Sequence, residues 1–511
     1  MDASIRGSAL DSEQAPLGAQ VVKGAAWVVA GRCVVRALGL INTIILARLL
    51  TPADFGIVAL GVVVMQLFQN VSDIGVANAV VRLRKADRAH YDTLFSLSMA
   101  RGVAIAVLML AGSFAADLFY DDPRVANIFL ALTPAPIMAA LVNPRFYDYE
   151  RHFDFAKEFW LAAAHKLVGV SVSIAIAVIF RTYWAIVIGL VAGAATQTAL
   201  SWAVRPYRPR LTFSALSELG GFAGWYGGLS VFAALNNKLD ILILGKILSP
   251  AALGAFFVGG SLAAIPREEL AAPVARAVYP GFASLQNDPA ALKEGYLKSV
   301  EALALFIMPI AFGAAFIAED AVAIILGAQW IETALLLQIL GPAVGVGLLF
   351  AATNAYATAI GNVRAICVRE IVLFFIRTPL FIGLSIAFGF AGAAAAAAAS
   401  ILLHAGLNVS VFSRLSGASV AAPFARARRS FYGVAAMTAY FLWPYVDIGA
   451  LAQGPAPLRL LIDIGIGASV FFGAVFAAWR IEGRPDGIEV VIGRRVDRII
   501  SHSRRLRFTQ S

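Results

Sequence analysis

Long apolar stretches alternate with short polar segments along most of the chain. A helix needs about 20 apolar residues to cross the hydrocarbon core of a bilayer. Fourteen stretches are long enough, and the segments between them are too short for a catalytic domain outside the membrane. The pattern predicts an all-α polytopic membrane protein with spans at 24–47, 55–80, 92–119, 125–143, 157–180, 182–204, 220–247, 253–279, 296–317, 332–360, 364–389, 391–414, 430–449 and 457–480.

Lysine and arginine are distributed unequally between the two sets of loops. The loops on the side of both termini carry 27 of these residues, and the loops on the opposite side carry 5. Because loops rich in lysine and arginine remain in the cytoplasm, both termini are predicted to be cytoplasmic. The same phase in every loop also supports an even number of spans.

Composition agrees with a membrane protein and disfavours other classes. The 511 residues are 60% hydrophobic and 14% charged, whereas soluble domains are about 25% charged. The net charge of +10 follows from the loop asymmetry, so no nucleic-acid partner is expected. Cys33 and Cys367 lie in apolar stretches and the histidines show no ligand spacing, so neither disulfides nor a metal cofactor is expected. The polar N-terminus does not resemble a cleaved signal peptide.

The chain matches itself when it is shifted by 198 residues. ILARLLTPADFG at 45–56 aligns with ILGKILSPAALG at 243–254, Trp27 aligns with Trp225, and 13 of 56 positions from 25 to 80 are identical. Thr-Pro and Ser-Pro are common helix starts, which explains the residue types but not the constant offset. Six spans fit into one period, so the two copies have the same orientation, as in transporters built from parallel repeats.

The repeat predicts a division of the chain into five parts. They are a cytoplasmic segment 1–22, an N-lobe 23–210 with helices 1–6, a C-lobe 211–415 with helices 7–12, two further helices within 416–480, and a tail 481–511. Apolar residues and arginines interleave at 488–508, which predicts a basic amphipathic helix on the anionic lipids of the cytoplasmic leaflet. A partly disordered tail is the alternative.

The sequence ARLLTPADFGIVAL, followed by SDIGVANAVVR, resembles the Wzx/WzxC-type oligosaccharide flippases of the polysaccharide transporter family. The family belongs to the multidrug/oligosaccharidyl-lipid/polysaccharide superfamily, which also holds lipid II flippases and MATE antiporters. The resemblance covers roughly residues 20–415 and implies two six-helix lobes in a V shape around a cavity lined by arginine and lysine.

The resemblance also implies a function. The substrate would be a polyprenyl-diphosphate-linked oligosaccharide, moved by alternating access from the inner to the outer leaflet of the bacterial cytoplasmic (inner) membrane for exopolysaccharide or lipopolysaccharide synthesis. Polysaccharide polymerase or export machinery would be a partner. No cofactor is implied.

Two arginines lie inside the first span, one helical turn apart. At about 100° per residue, Arg32 and Arg36 share a stripe with Gly39 and Thr43. They lie about 12 and 18 Å along the helix from its predicted start, and each arginine near mid-membrane costs about 2.5–3.5 kcal/mol to insert. A cost of this size indicates a function.

The arginine pair is not part of the repeated pattern, because Arg36 aligns with Ala234 in the second copy. We expect Arg32 and Arg36 to bind the diphosphate through bidentate, charge-assisted hydrogen bonds. The main alternative is an internal partnership with Asp73.

Further cations outnumber the acids within the spans, and a bound anion would neutralise the surplus. The other candidate substrate-binding residues are Arg101, Lys166, Arg267 and Arg377. The candidates for gating or for internal ion pairs are Asp73, Lys238, Asp240, Glu268 and Glu269. Arg267 has a structural alternative, since the two glutamates after it can neutralise it within its own turn.

Two other functions compete with the flippase. A MATE-like cation or drug antiporter requires buried carboxylates, but the first span carries arginines and no acid. A membrane polysaccharide polymerase or glycosyltransferase requires catalytic carboxylates or a large loop, and the sequence shows neither. No catalytic residue is assigned, and the protein is not expected to be an enzyme.

Overall fold

The computed structural model describes residues 17–72, 87–120, 122–151, 155–204, 207–216, 224–443 and 455–483. Its contacts define two compact units, Met1–Ala234 and Leu235–Ser511, here called the N-unit and the C-unit. The division falls inside the first helix of the second repeat copy, later in the chain than the predicted lobe boundary at 210. Asp73 and most of the predicted amphipathic tail lie outside the described residues.

The described part of the N-unit is helical, with one extended segment at 207–216 that follows its last long helix. A short 3-10 helix at Pro144–Tyr147 precedes α6. The helices are α1 (Leu17–Leu49), α2 (Pro52–Val71), α3 (Arg88–Tyr120), α4 (Pro123–Leu132), α5 (Pro134–Ala140), α6 (Asp148–Arg151), α7 (Phe155–Phe180) and α8 (Trp184–Val204).

The following helix, α9 (Gly224–Ile247), crosses the division between the units, and the C-unit continues from it. A π-helical turn at Arg267–Ala271 and 3-10 turns at Ala328–Trp330 and Leu348–Phe350 separate some of its helices. The helices are α10 (Pro250–Ala263), α11 (Ala272–Ser284), α12 (Pro289–Phe316), α13 (Ala318–Ile325), α14 (Ile331–Gly347), α15 (Thr353–Ala359), α16 (Val363–Ser416), α17 (Ala422–Leu442) and α18 (Ala456–Ile481).

The prediction of a polytopic all-helical protein with fourteen spans is confirmed. Nine helical segments in the described residues are long and apolar enough to cross a membrane. Several remaining spans are built from shorter pieces, such as α4 with α5 and α10 with α11. Phe114 and Leu118 on α3 and Ile179 on α7 are 75%, 86% and 70% exposed, as expected for side chains that face lipid.

The longest helix, α16, contains two predicted spans. Its 54 residues would measure about 81 Å if straight, more than twice the thickness of a bilayer core. Gly389 divides it with a φ of 58°, a conformation that disfavours residues with a side chain. At Gly392 an added Cβ would lie 1.9 Å from the carbonyl oxygen of Leu384, so glycine is required at both positions.

The two copies of the repeat begin their second helices in the same way. α1 ends at Leu49 and α9 ends at Ile247, which is 198 residues later. The Thr51 hydroxyl accepts a hydrogen bond from the Asp54 amide at 3.3 Å, and the Thr51 amide donates to the Asp54 carboxylate at 2.9 Å. In the second copy, the Ser249 hydroxyl accepts from the Ala252 amide at 3.3 Å. The copied motif is therefore a helix cap in both places.

Candidate functional site

The arginine stripe of the N-unit lies beside the contact between α1 and α7. The rings of Trp27 and Phe159 pack with their centroids 5.3 Å apart, and Gly31 lies against the same phenylalanine. Arg32 and Arg36 follow this contact line and are exposed. Because α7 covers the neighbouring face of α1, the helix is held with its arginines accessible.

Lys166 of α7 joins this stripe. A Cβ added to Gly39 would lie 3.6 Å from Cε and 3.7 Å from Nζ of Lys166, so the lysine side chain passes over the α1 backbone where glycine leaves room. Gly39 shares the helical face of Arg32 and Arg36, and Thr43 on that face donates its hydroxyl hydrogen to the Gly39 carbonyl at 3.0 Å. Lys166 thus lies against the face of α1 that carries Arg32 and Arg36. We call these three of the six predicted substrate-binding residues the cationic face.

Arg101 holds a different position in the N-unit. Its Nε donates to the Ser72 hydroxyl at 2.9 Å and its Nη2 donates to the Gln69 carbonyl at 2.7 Å. These acceptors belong to the last turn and C-cap of α2, where carbonyl groups lack partners within the helix and a cation is favoured. Arg101 therefore binds the end of α2.

The C-unit contains a buried polar network between α9 and α16. The Asn236 side-chain amide donates to the Glu370 carbonyl oxygen at 3.0 Å and to its carboxylate at 2.8 Å. Arg369 donates to the same carboxylate at 2.5 Å and to the Asn354 side chain at 2.7 Å. It also donates to the Asn408 side chain. Three asparagine side chains, one from each of α9, α15 and α16, thus surround one buried ion pair.

His404 extends this network. Its Nε2 lies 3.7 Å from the Glu370 carboxylate, and Arg377 and Arg267 are among the charged groups that act on it. Among the described residues, Nε2 of His404, Oδ1 of Asn236 and Nε of both Arg369 and Arg377 are buried without a hydrogen-bond partner. Groups of this kind are costly unless water or a ligand satisfies them.

The predicted charged residues of the C-unit are placed around the same helices. Arg377 forms an ion pair with Asp240, which joins α16 to α9. Arg267, in the π-helical turn, donates to the Asn237 side chain at 3.1 Å. The charges of Arg267 and Glu268 both act on Lys238. Glu269 follows Glu268 in the chain and is exposed.

The residues of the polar network do not stand out as a site in the sequence. Asn236, Asn354 and Asn408 are single polar residues in apolar spans, and their partners are up to 134 residues away in sequence. The only signal was the Arg369–Glu370 dipeptide inside a span. In the residues that the structure describes, no three His, Cys, Asp or Glu side chains converge in a way that could hold a metal ion.

The fold and these charged groups define a class of protein, the multi-pass α-helical membrane proteins with cations inside their helical units. The chain belongs to the polysaccharide biosynthesis protein family, whose model matches residues 45–335. This confirms the family resemblance found in the first repeat copy.

Proteins similar to the chain include two curated relatives and one solved structure. The lipopolysaccharide biosynthesis protein WzxC of Escherichia coli is 24% identical over 329 residues, which are 63% of this chain and 66% of the relative. The succinoglycan biosynthesis transport protein ExoT of Rhizobium meliloti is 22% identical over 314 residues, 61% of this chain and 63% of the relative. The chain thus spans about two thirds of the length of these relatives.

The solved structure is that of the lipid II flippase MurJ in an inward closed conformation. It matches 91% of this chain and 100% of its own, with a TM-score of 0.69 and 13% sequence identity. At this identity the likeness concerns the fold.

Proposed function

We propose that the protein is a flippase that moves a polyprenyl-diphosphate-linked oligosaccharide from the inner to the outer leaflet of the bacterial cytoplasmic membrane by alternating access. Its family, two relatives named for polysaccharide biosynthesis, and a fold shared with a lipid II flippase support this proposal. The loop charges support cytoplasmic termini. Polysaccharide polymerase or export machinery is the proposed protein partner.

The cationic face of the N-unit carries the proposal. Lys166 of α7 lies against the face of α1 that carries Arg32 and Arg36, and α1 has no carboxylate of its own. Intramembrane cations mark substrate pathways, and a diphosphate offers the oxygens that guanidinium forks bind in pairs. We assign the diphosphate to this face.

The remaining candidates take other roles in the proposal. Arg101 and Arg377 have protein partners, α2 and Asp240, so we assign them to positioning. In the C-unit, Arg267 remains a candidate for binding the glycan and Lys238 a candidate for gating. Glu268 and Glu269 limit the positive charge there and belong to a gate. Asp73, which lies outside the described residues, is kept as a candidate gating residue.

The decisive experiment compares export and stability in matched variants. The variants Arg32→Gln, Arg36→Gln and Lys166→Gln are expected to lower export by about tenfold or more, since each removes charge-assisted hydrogen bonds. Arg36→Lys should restore part of the loss, because an ammonium group keeps the charge without the bidentate fork. Arg48→Gln, at the far end of the same helix, is the control and should export normally.

Mass spectrometry of the lipid-linked oligosaccharides provides the readout. Depletion of the protein and the three inactive variants should all cause the same lipid-linked intermediate to accumulate. If depletion leaves these lipids unchanged, the proposed function is wrong. If export falls only in proportion to the loss of thermal stability, the assignment of the diphosphate to the cationic face is wrong.

A further inference from the structure

A second cationic site lies at one end of the N-unit, on residues that the proposed transport function does not use. A cavity of about 540 Å³ is lined by Arg88, Arg145, Arg208, Trp202 and Tyr207. These side chains come from the start of α3, the 3-10 helix after α5, the end of α8 and the extended segment 207–216. The loops at this end belong to the arginine-rich set that is predicted to be cytoplasmic.

The extended segment is fixed to α3 by buried side chains. Asp92 accepts hydrogen bonds from the Tyr207 hydroxyl at 2.7 Å and from the Arg210 amide at 3.0 Å. Ser96 accepts from the Thr212 amide at 2.8 Å. Burial and the hydrogen bond to Asp92 raise the pKa of Tyr207 to about 12, so its hydroxyl remains a donor at neutral pH. The cavity wall is therefore built in advance.

Arg145 is held by aromatic rings. Its guanidinium carbon lies 5.0 Å from the ring centroid of Tyr207 and 5.8 Å from that of Tyr91, within the range of cation–π contacts. Among the described residues no carboxylate forms an ion pair with Arg145, and its Nε is buried without a hydrogen-bond partner. The rings thus orient the fork, and its N–H groups donate no hydrogen bond to any residue that the structure describes.

The cavity has more positive charge than its surroundings neutralise. Asp92 lies 3.6 Å from Arg88, but it is 4% exposed and already accepts two hydrogen bonds. Arg208 is exposed, and its side chain makes no hydrogen bond or ion pair to any residue that the structure describes. Three of the five residues that line the cavity are arginines, and none is acidic.

We infer that this cavity binds a phosphoanion, a phosphate mono- or diester that carries a small organic group. Planar guanidinium forks match phosphate oxygens. The rings of Trp202 and Tyr207 suit an attached ring or glycerol group. The Trp202 Nε1 proton is already donated to the Leu141 carbonyl at 2.8 Å, so the indole offers a ligand its apolar ring and no N–H donor. The volume lies within the range of about 300–1,000 Å³ typical of small-molecule sites.

Two sources offer this chemistry, the headgroup of an anionic phospholipid and a soluble phosphate ester. The test uses the full-length protein in phosphatidylcholine nanodiscs with added glycerol 3-phosphate, and in nanodiscs that also contain phosphatidylglycerol. Calorimetry measures the soluble probe, and native mass spectrometry measures retained phosphatidylglycerol. Binding of either probe supports the inference and identifies the source.

Substitutions decide whether the cavity is responsible. Arg145→Gln should weaken binding by about tenfold or more, as expected for a lost charge-assisted hydrogen bond. Arg208→Gln should also weaken binding, and it should leave thermal stability unchanged. This second variant keeps the test valid if loss of the Arg145 contacts unfolds the loop. Arg210→Gln is the control, since Arg210 lies on the same segment but does not line the cavity.

A second readout follows from the shared walls. A bound anion joins the segment 207–216 to α3 and to the 3-10 helix, so it should slow amide hydrogen exchange at 207–216. Absence of binding by both probes would overturn the inference. Equal weakening by Arg210→Gln would also overturn it, because the attraction would then be general to the basic surface. The outcome does not depend on flippase activity.

Discussion

α1 and α9 are the first helices of the two repeat copies and occupy equivalent positions in the sequence. They differ in their charged residues, which are exposed on α1 and paired with other side chains on α9. Both are followed by a capped Thr/Ser-Pro motif at the same offset. Arg32 and Arg36 lie exposed on α1, which has no acid. On α9, Asp240 pairs with Arg377 and Asn236 binds Glu370.

The difference teaches that the repeat preserves the ends of helices and lets their interiors diverge. The cap residues set where a helix begins, so both copies need them for folding. Interior polar residues meet different partners in each unit. Asn42 occupies on α1 the position of Asp240 on α9, and its Oδ1 is buried without a partner among the described residues. Interior charge on α9 is therefore paired within the C-unit, whereas for α1 we propose that it serves substrate binding.

The largest expected effect comes from the buried ion pair of the C-unit. Arg369→Met should lower the free energy of unfolding by about 3–5 kcal/mol, because it leaves the Glu370 carboxylate buried without its cation. Thermal unfolding of the purified protein measures this. Arg414→Met, on an exposed turn of the same helix, should have little effect. A full loss of stability in the control, or none in Arg369→Met, would contradict a structural role.

A smaller effect is expected when α9 receives the residue of α1. Asp240→Asn leaves Arg377 without its counter-charge, and a hydrogen bond to a charged group contributes about 1.5–3 kcal/mol. The variant should lose stability, whereas Arg36→Gln should lose export and keep stability. If both variants lost the same property, the contrast between the two helices would fail.

Removal of the helix caps at Thr51 and Ser249 should change stability by less than the loss of either ion pair. Thr51→Ala removes a reciprocal capping box and should cost about 1–2 kcal/mol, while Ser249→Ala removes a single bond and should cost about 0.5–1 kcal/mol. Denaturant titration of each variant against the wild type gives the comparison. Equal losses would show that the reciprocal bond from Thr51 to Asp54 adds nothing.

The smallest expected effect concerns the ion pairs between α17 and α18, the last two helices of the C-unit. Glu482 accepts hydrogen bonds from Arg428 and Arg429 at 2.7 Å each, and the bond from Arg428 is the main cause of its lowered pKa. A lowered pKa in the folded state adds stability above the ordinary glutamate pKa. This stability is lost as the pH falls through the lowered value.

The wild type should therefore exceed Glu482→Gln by about 0.2–1 kcal/mol at neutral pH. Melting temperatures of both proteins, measured from neutral pH to about pH 3, test this. The gap should close in acid. A gap that persisted in acid would place the effect in packing rather than in charge.

The fold was largely predictable because spans are defined by local composition. The fourteen apolar stretches, the two caps and the break near residue 390 follow from residue types within one or two turns. Even the break at Gly389 falls between the predicted spans 364–389 and 391–414.

The site was predictable only in part. Arg32 and Arg36 are visible because a charge repeats on one face of one helix. The partner of Glu370 is Asn236, and nothing in the sequence near either residue specifies the other. Arg101 was predicted to bind substrate, and the bonds that it makes to the end of α2 depend on how α2 and α3 pack. Contacts of this kind depend on tertiary packing, which leaves no periodic pattern in the sequence around either residue.

The joint at Gly389 has a practical consequence for work with this protein. It connects two spans through a single non-helical residue, so no loop separates them. A tag, protease site or reporter placed there would unwind helix instead of lengthening a loop. Fusion-based topology mapping should use other connections, because at this joint an insertion would alter the arrangement that it was meant to report.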